Sequence, residues 1–425
     1  MDFIMRWMIY LSILTTSFDI FLSWQVAGTI RFTQVVLLIP MLYLLVCLLL
    51  GRRLYFPPHI KWLFIWSCFL LAFLLNTVHL ERTIGYWVWL MMNLFTIILV
   101  VNMFRKDVQI HRLLYFYGWS FVLVALFGLF QFFTAPFWHL ATPLVTQWWV
   151  PYTLARINGF SYEPSYFATY EIIGWTMFLG LIYFKDTTLY PAKQRNFLFA
   201  ILTISIILSS SRMGILMMLV LMGLVLFEKI FANCYQVLNK RKVSIPFLCN
   251  VIVFSLTLVC LLFFFVSTVD FSQYEFLLNG TGIGGTASHS VDDRSLAMSR
   301  TFEIFLENPI VGVSLGGIPE NISDMIGVSG NLKSFEGSAV FLEVLAASGI
   351  IGIIPFLIYF FKMFYDSWKV ARRFKNKIVL VLLVALASEL IILQLNQNIL
   401  RPYLWMHIAI LSAVLSVVKS TPIIK

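Results

Sequence analysis

Long apolar runs crowd this chain and leave it few folds to choose from. They fall at about 8–25, 32–50, 62–78, 86–103, 113–133, 165–184, 196–210, 213–228, 246–268, 338–361, 378–397 and 402–418. A helix needs about 20 mostly apolar residues to cross a bilayer. Within lipid, every backbone N–H and C=O must be bonded inside the protein, which leaves helices or closed barrels. Runs of this length suit helices. The seventh and eighth are short and meet at Ser209-Ser210-Ser211-Arg212, which leaves the count open by one pair. The expected fold is an all-α polytopic membrane protein with about 12 transmembrane helices and a large extracytoplasmic loop between helices nine and ten. A single integral membrane domain over 1–425 is expected, with extracytoplasmic loops at about 134–164 and 269–337. No small-residue cleavage site follows the first run, so it does not read as a removable signal peptide.

Charge placement orients these helices. Of 425 residues, 60% are hydrophobic and 12% charged, with a net charge of +10. Soluble domains have roughly 45–50% and about 25%. Lys and Arg concentrate in cytoplasmic loops of membrane proteins. With the N-terminus inside, eight basic residues fall outside: Arg31, Arg82, Arg156, Arg212, Arg294, Arg300, Lys333 and Arg401. The other 22 of the 30 fall inside. Both termini are then cytoplasmic. The positive charge is spread over short cytoplasmic turns, which argues against a nucleic-acid partner. The outside set is almost wholly arginine, whose planar fork matches phosphate oxygens in pairs. Its bland alternative is arginine snorkelling from helix ends. The five cysteines, Cys47, Cys68, Cys234, Cys249 and Cys260, lie in spans or on the inside, and no pair has metal-ligand spacing. Neither a disulfide framework nor a metal is expected.

The outside loops carry most of the polar chemistry. Residues 156–168 read Arg-Ile-Asn-Gly-Phe-Ser-Tyr-Glu-Pro-Ser-Tyr-Phe-Ala. They set Arg156, Asn158 and Glu163 just ahead of an apolar run. Pro164 suits a first helical turn, with Glu163 at the positive end of that helix. Trp138, Trp148, Trp149 and Tyr152 precede them, as an interfacial belt or a stacking surface for sugars. In the second loop, Gly280, Gly282 and Gly285 form a GxGxxG spacing without the strand and βαβ unit that would make it a nucleotide site; His289 reads as a solvated loop residue. Residues 292–309 predict a short amphipathic helix with Phe302, Phe305 and Leu306 on one stripe and Arg294 and Arg300 available to lipid phosphates. Glu336 and Glu343 share a helix face, and Glu163 and Glu171 nearly do. Carboxylates at membrane depth, Asp19 and Glu389 included, are either functional or held in buried ion pairs.

Three pieces of this pattern resemble the O-antigen polymerase/ligase superfamily, the Wzy-type polymerases and WaaL-type ligases. One is Arg156-Ile-Asn-Gly-Phe with Glu163-Pro164-Ser165-Tyr166-Phe167-Ala168. The second is Ser211-Arg212-Met213-Gly214. The third runs from Arg300 through Pro309-Ile310-Val311-Gly312-Val313-Ser314-Leu315-Gly316 to Phe341-Leu342-Glu343 and Gly349-Ile350-Ile351-Gly352. The resemblance implies a helical glycosyltransferase on the outer face of the bacterial inner membrane. It implies glycans on undecaprenyl diphosphate as substrates, no nucleotide sugar, no metal and no cofactor. A chain-length regulator is a partner expected from the family only, and membrane lipid is the other. The family's diphosphate-binding arginines match Arg156, Arg212 and Arg300; Arg294 joins them on charge alone, and Asn158 and Ser338 as polar neighbours.

The sequence departs from the ligases at one point. Where they carry a His just ahead of the tenth span, alignment on Gly349 and Gly352 puts Ser338, whose pKa does not suit a general base. That favours a polymerase, with Glu336 as the replacement base and Glu163 as the second candidate. The chemistry expected is attack of a sugar hydroxyl on an anomeric carbon, with lipid diphosphate leaving. A ligase, or a transporter of lipid-linked glycan, is the alternative; transporters often show inverted repeats, and no internal symmetry is visible here.

Overall fold

The computed structural model describes residues 1–25, 29–72, 80–137, 144–150, 153–239, 288–326, 339–394 and 399–420. Of the described residues, 76% are helical, in 13 helices, with almost no sheet. They are α1 (Asp2–Leu14), α2 (Phe32–Leu49), α3 (Ile60–Ala72), α4 (Leu80–Met103), α5 (Asp107–Thr134), α6 (Pro164–Tyr183), α7 (Ala192–Ser209), α8 (Arg212–Asn239), α9 (Ser288–Glu307), α10 (Gly317–Ile326), α11 (Val340–Arg373), α12 (Lys377–Ile392) and α13 (Pro402–Ser420). Two small antiparallel hairpins complete the described residues: β1 (Ser23–Gln25) with β2 (Thr29–Arg31), and β3 (Trp148–Val150) with β4 (Leu154–Ala155).

Five of these helices, α2, α4, α5, α11 and α13, are long and apolar enough to cross a membrane. The chain is therefore a membrane protein. The ninth expected span, 246–268, lies outside the described residues, as do 269–287 and 327–338. The first expected span, 8–25, differs from what forms. Its helix ends at Leu14, where Thr15 Oγ1 bonds the Leu11 carbonyl at 3.0 Å and Thr16 Oγ1 the Ile13 carbonyl at 3.0 Å. Such hydroxyl bonds compete with the helical ladder, and the chain continues into β1.

The core is one apolar cluster. α13 packs on α4, α6 on α7 and α12, α1 on α2 and α5, and α3 on α11. α6 is buried along nearly its whole length, including Glu171, Trp175 and Phe178. Prolines inside α2 and α11, Pro40 and Pro355, are tolerated as in other membrane helices, where neighbours satisfy the freed carbonyls.

Polar groups inside the bundle are mostly matched. Glu389 on α12 meets His407 Nδ1 on α13 at 2.7 Å, both fully buried, and His407 Nε2 donates to the Leu382 carbonyl at 3.0 Å. Since Nε2 must carry a proton to reach a carbonyl, the other imidazole nitrogen and the carboxylate share a single proton between them. Removing one member of a buried pair strands the other, at about 3–5 kcal/mol, whereas replacing both by apolar side chains is often neutral. His407→Leu alone is thus expected to lower the thermal unfolding midpoint in detergent sharply, and Glu389→Leu with His407→Leu to recover most of it. A double variant no more stable than the single one would contradict this.

Candidate active site

Arginines stand at the N-terminal ends of four helices. Arg31 is the N-cap of α2, Arg82 lies in the first turn of α4, Arg212 is the first residue of α8, and Arg401 precedes Pro402 at the start of α13. These are positive ends, where a cation is disfavoured by the helix dipole. At the other ends of α2, α11 and α13 stand Arg52, Arg372, Arg373 and Lys419, where the dipole favours them. Placement against the dipole costs each about 0.3–1 kcal/mol at a surface site and favours an anionic neighbour, which Asp19 supplies for Arg31 and Arg401.

The segment 156–168 joins these arginines. Gln131 on α5 holds its turn from both sides: its amide donates to the Gly159 carbonyl at 3.0 Å and accepts from the Gly159 N–H at 2.8 Å. Gly159 has φ +55°, and a Cβ there would stand 2.8 Å from the ring of Phe167, so only glycine lets Phe167 close over the turn. Asn158 is fully buried; its amide donates to the Leu144 carbonyl at 2.8 Å and the Ser161 carbonyl at 2.6 Å. It pins the loop. Glu163 is the N-cap of α6 with Pro164 in its first turn, and it accepts from Ser165 Oγ at 2.8 Å.

Arg156 reaches across to the α7–α8 junction. Its Nε donates to the Ser209 carbonyl at 2.9 Å, one terminal amine to the Ser210 carbonyl at 3.1 Å and the other to Gln147 Oε1 at 2.6 Å. A guanidinium at a helix C-terminus satisfies orphan carbonyls and complements the dipole. Ser210 takes the left-handed conformation at φ +52°, and Ser211 Oγ then caps α8 by accepting the Gly214 N–H at 3.4 Å. Gly214 lies against Ala168, where a Cβ would stand 2.9 Å from the alanine methyl. The first two resembling pieces are therefore one contact, and Arg156 sets where Arg212 starts. Arg156→Lys is expected to behave much like Arg156→Ala: one ammonium cannot bridge both carbonyls and Gln147, and each lost charged hydrogen bond costs about 1.5–3 kcal/mol. A thermal midpoint for the lysine variant equal to that of the unsubstituted protein would overturn this.

The third piece is also one contact. α11 breaks at Gly349, with φ +61° and ψ −169°. The irregular segment 309–314, a turn at 309–311 followed by left-handed residues at Gly312 and Ser314, crosses at the break. Val313 and Ser314 N–H donate to the Ala346 and Ala347 carbonyls at 3.0 and 2.8 Å, and Ile350 and Ile351 N–H donate to the Pro309 and Ile310 carbonyls at 2.9 and 3.3 Å. These four bonds pair backbone groups on both sides of the break with the crossing segment. Gly312 (φ +71°) is equally tight: a Cβ would stand 2.5 Å from the Ala346 carbonyl oxygen. Ser348, beside the break, accepts from the Trp66 indole at 3.2 Å. Gly316 rests on the backbone of Arg82 and Thr83 at the start of α4. This crossing fixes the end of α9, which carries Arg300.

α9 begins at Ser288, earlier than the helix predicted over 292–309. The expected single apolar stripe is divided: Ile304 is buried and Phe305 packs on the core, while Phe302 and Leu306 are exposed. Arg300 is half-buried and has no hydrogen bond or ion pair to another described residue. The Arg294 side chain, Glu336 and Ser338 lie outside the described side chains. Four of the five other carboxyls singled out find partners: Asp19 pairs with Arg31 and Arg401, Glu389 with His407, Glu343 Oε2 accepts the Ile399 N–H at 2.8 Å, and Glu163 is bound as above. Glu171 is fully buried on α6, and neither of its oxygens has a hydrogen-bond partner. Among the described residues no three His, Cys, Asp or Glu side chains converge as metal ligands.

Of the expected site residues, the structure ties Arg156 to the turn that leads into Arg212, with Asn158 and Glu163 on the same segment as Arg156. Sequence reasoning passed over Arg31 and Arg401 as site residues, although both were in the outside set; the signal available was their position just ahead of apolar runs. Compared with known families, residues 197–357 match the model of the O-antigen ligase family, Wzy_C. The matched region takes in Arg212, Arg300 and the crossing at Gly349. The search of curated proteins finds no match.

Proposed function

We propose, from the match of residues 197–357 to the O-antigen ligase family model, that the chain polymerises undecaprenyl-diphosphate-linked repeat units on the outer face of the bacterial inner membrane. The observation that carries this reading is Arg212 at the positive end of α8, set there by Arg156 through the Ser209–Ser210 turn, an arrangement that suits a diphosphate headgroup held at the membrane surface. A sugar hydroxyl of the acceptor attacks the anomeric carbon of the donor. The bond from that carbon to the diphosphate oxygen breaks, and its electron pair leaves with the lipid diphosphate. Arg212 and Arg300 meet the charge growing on that leaving group, where fixed cations stabilise the transition state most. Arg156 binds alongside and holds Arg212 in place, and Arg294 adds charge from α9. The acceptor proton passes to a carboxylate, Glu336 first or Glu163. Ser338 completes the glycan contacts, while the buried Asn158, expected from the sequence to touch substrate, acts instead by pinning the segment that carries Arg156 and Glu163.

The reading is favoured over a ligase by Ser338, where ligases keep a histidine. In the proposed topology both termini are cytoplasmic and about 12 spans cross the membrane. A glycolipid profile of a strain lacking the protein tests it. Single repeat units accumulating on the carrier, with long chains gone, are expected. Full-length polymer stranded on the carrier would make it a ligase. Units accumulating on the cytoplasmic face would replace transfer with transport.

A further inference from the structure

Polymerisation brings together two lipid-linked glycans, and each carries its own diphosphate. The loop 156–168 borders two groups of arginines. One is Arg156 with the Ser209–Arg212 turn. The other lies at the far end of the loop, where the Phe160 carbonyl accepts the N–H groups of Asp19 and Ile20, both at 3.0 Å. There the Asp19 carboxylate bridges two arginines: Arg31 Nε at 2.7 Å and Arg401 Nη1 at 2.9 Å. The Arg401 guanidinium lies 4.5 Å above the ring of Tyr166, in the first turn of α6 that ends this segment.

This second group is built as a platform with a reaching arm. Asp19 and Arg401 are only 5% and 6% exposed, whereas Arg31 is 16% exposed. Arg31 spends its Nε on Asp19, and its two terminal amines have no partner among the described residues. Two guanidinium groups on one carboxylate leave an excess positive charge, and Arg31 also stands at the positive end of α2. The open edge of a guanidinium so held matches a pair of phosphate oxygens.

Resting on the polymerase reading, we propose that Arg31, oriented by Asp19 and Arg401, binds the diphosphate of the acceptor glycolipid, separate from the donor diphosphate at Arg212 and Arg300. The loop 156–168 then spans the two headgroups, and the transfer takes place between them. A ligase, whose acceptor is not a carrier-linked glycan, has no use for a second carrier site.

The test is stoichiometry. The full-length protein in lipid nanodiscs is titrated calorimetrically with farnesyl diphosphate, a short polyprenyl diphosphate. Two molecules per chain are expected. Arg31→Gln is expected to bind one, with the affinity of the remaining site unchanged, and Arg212→Gln is likewise expected to bind one. Arg31→Lys keeps the charge but loses the fork, and is expected to hold two with the second about tenfold weaker; it stands in should Arg31→Gln fail to fold. One molecule on the unsubstituted protein, lost in Arg212→Gln, would overturn the second site and leave the donor site standing. Two molecules bound unchanged by Arg31→Gln, or by Arg31→Lys where it stands in, would also overturn it. No binding at all would remove the diphosphate reading together with it.

Discussion

Gly349→Ala is expected to leave little folded protein and no long-chain product. The residue sits at φ +61°, ψ −169°, a region that L side chains rarely adopt and that costs of order 1–3 kcal/mol even where there is space. Here there is no space. A Cβ would collide with the Ile310 carbonyl group and stand 2.5 Å from Val311 N, both backbone atoms that cannot rotate away. Moving segment 309–314 aside would release the four backbone hydrogen bonds that it makes to the broken helix, inside a region where unpaired peptide groups cost several kcal/mol each. Gly85 is the control. It lies in α4 with nothing within 4 Å of a Cβ, so Gly85→Ala is expected to be neutral or to stabilise by up to about 1 kcal/mol. Thermal unfolding in detergent with product chain length reads both; equal midpoints for the two variants would contradict the account.

Arg212→Ala and Arg300→Ala are expected to abolish long-chain product while the protein stays inserted and folded. Removing one fixed stabiliser of a developing oxyanion typically costs about 10²–10³ in rate, enough to leave the carrier bearing single units. Both side chains are partly exposed at the bundle's end, so their loss creates no buried cavity. Arg300 has no partner among the described residues to strand. Loss of product with an unchanged thermal midpoint separates them from Arg156→Ala, which is expected to lose product and stability together because it releases the α7–α8 junction. Normal chain length in both variants would remove the diphosphate role.

The architecture class was written plainly in the sequence. Apolar runs too long and too frequent for a soluble core admit only helices in lipid, and Pro164 behind Glu163 marked the start of α6 where it occurs. The three resembling pieces were visible as short motifs, but their meaning was not. Arg156 carries no sign in sequence that its fork closes on the Ser209 and Ser210 carbonyls, because the partners are backbone atoms and any residue supplies those. Asp19 was a lone acid in an apolar run, and only packing brought Arg31 and Arg401, 382 residues away in the second case, onto its two oxygens. Gly349 looked like one small residue in a membrane helix. Its necessity comes from segment 309–314, which fills the break with its own hydrogen bonds. Hydrophobic periodicity reports which surfaces meet lipid or core, a property local to each helix. Which helix ends meet, and which arginine finds which oxygen, depends on contacts between distant segments, and those the tertiary structure alone decided.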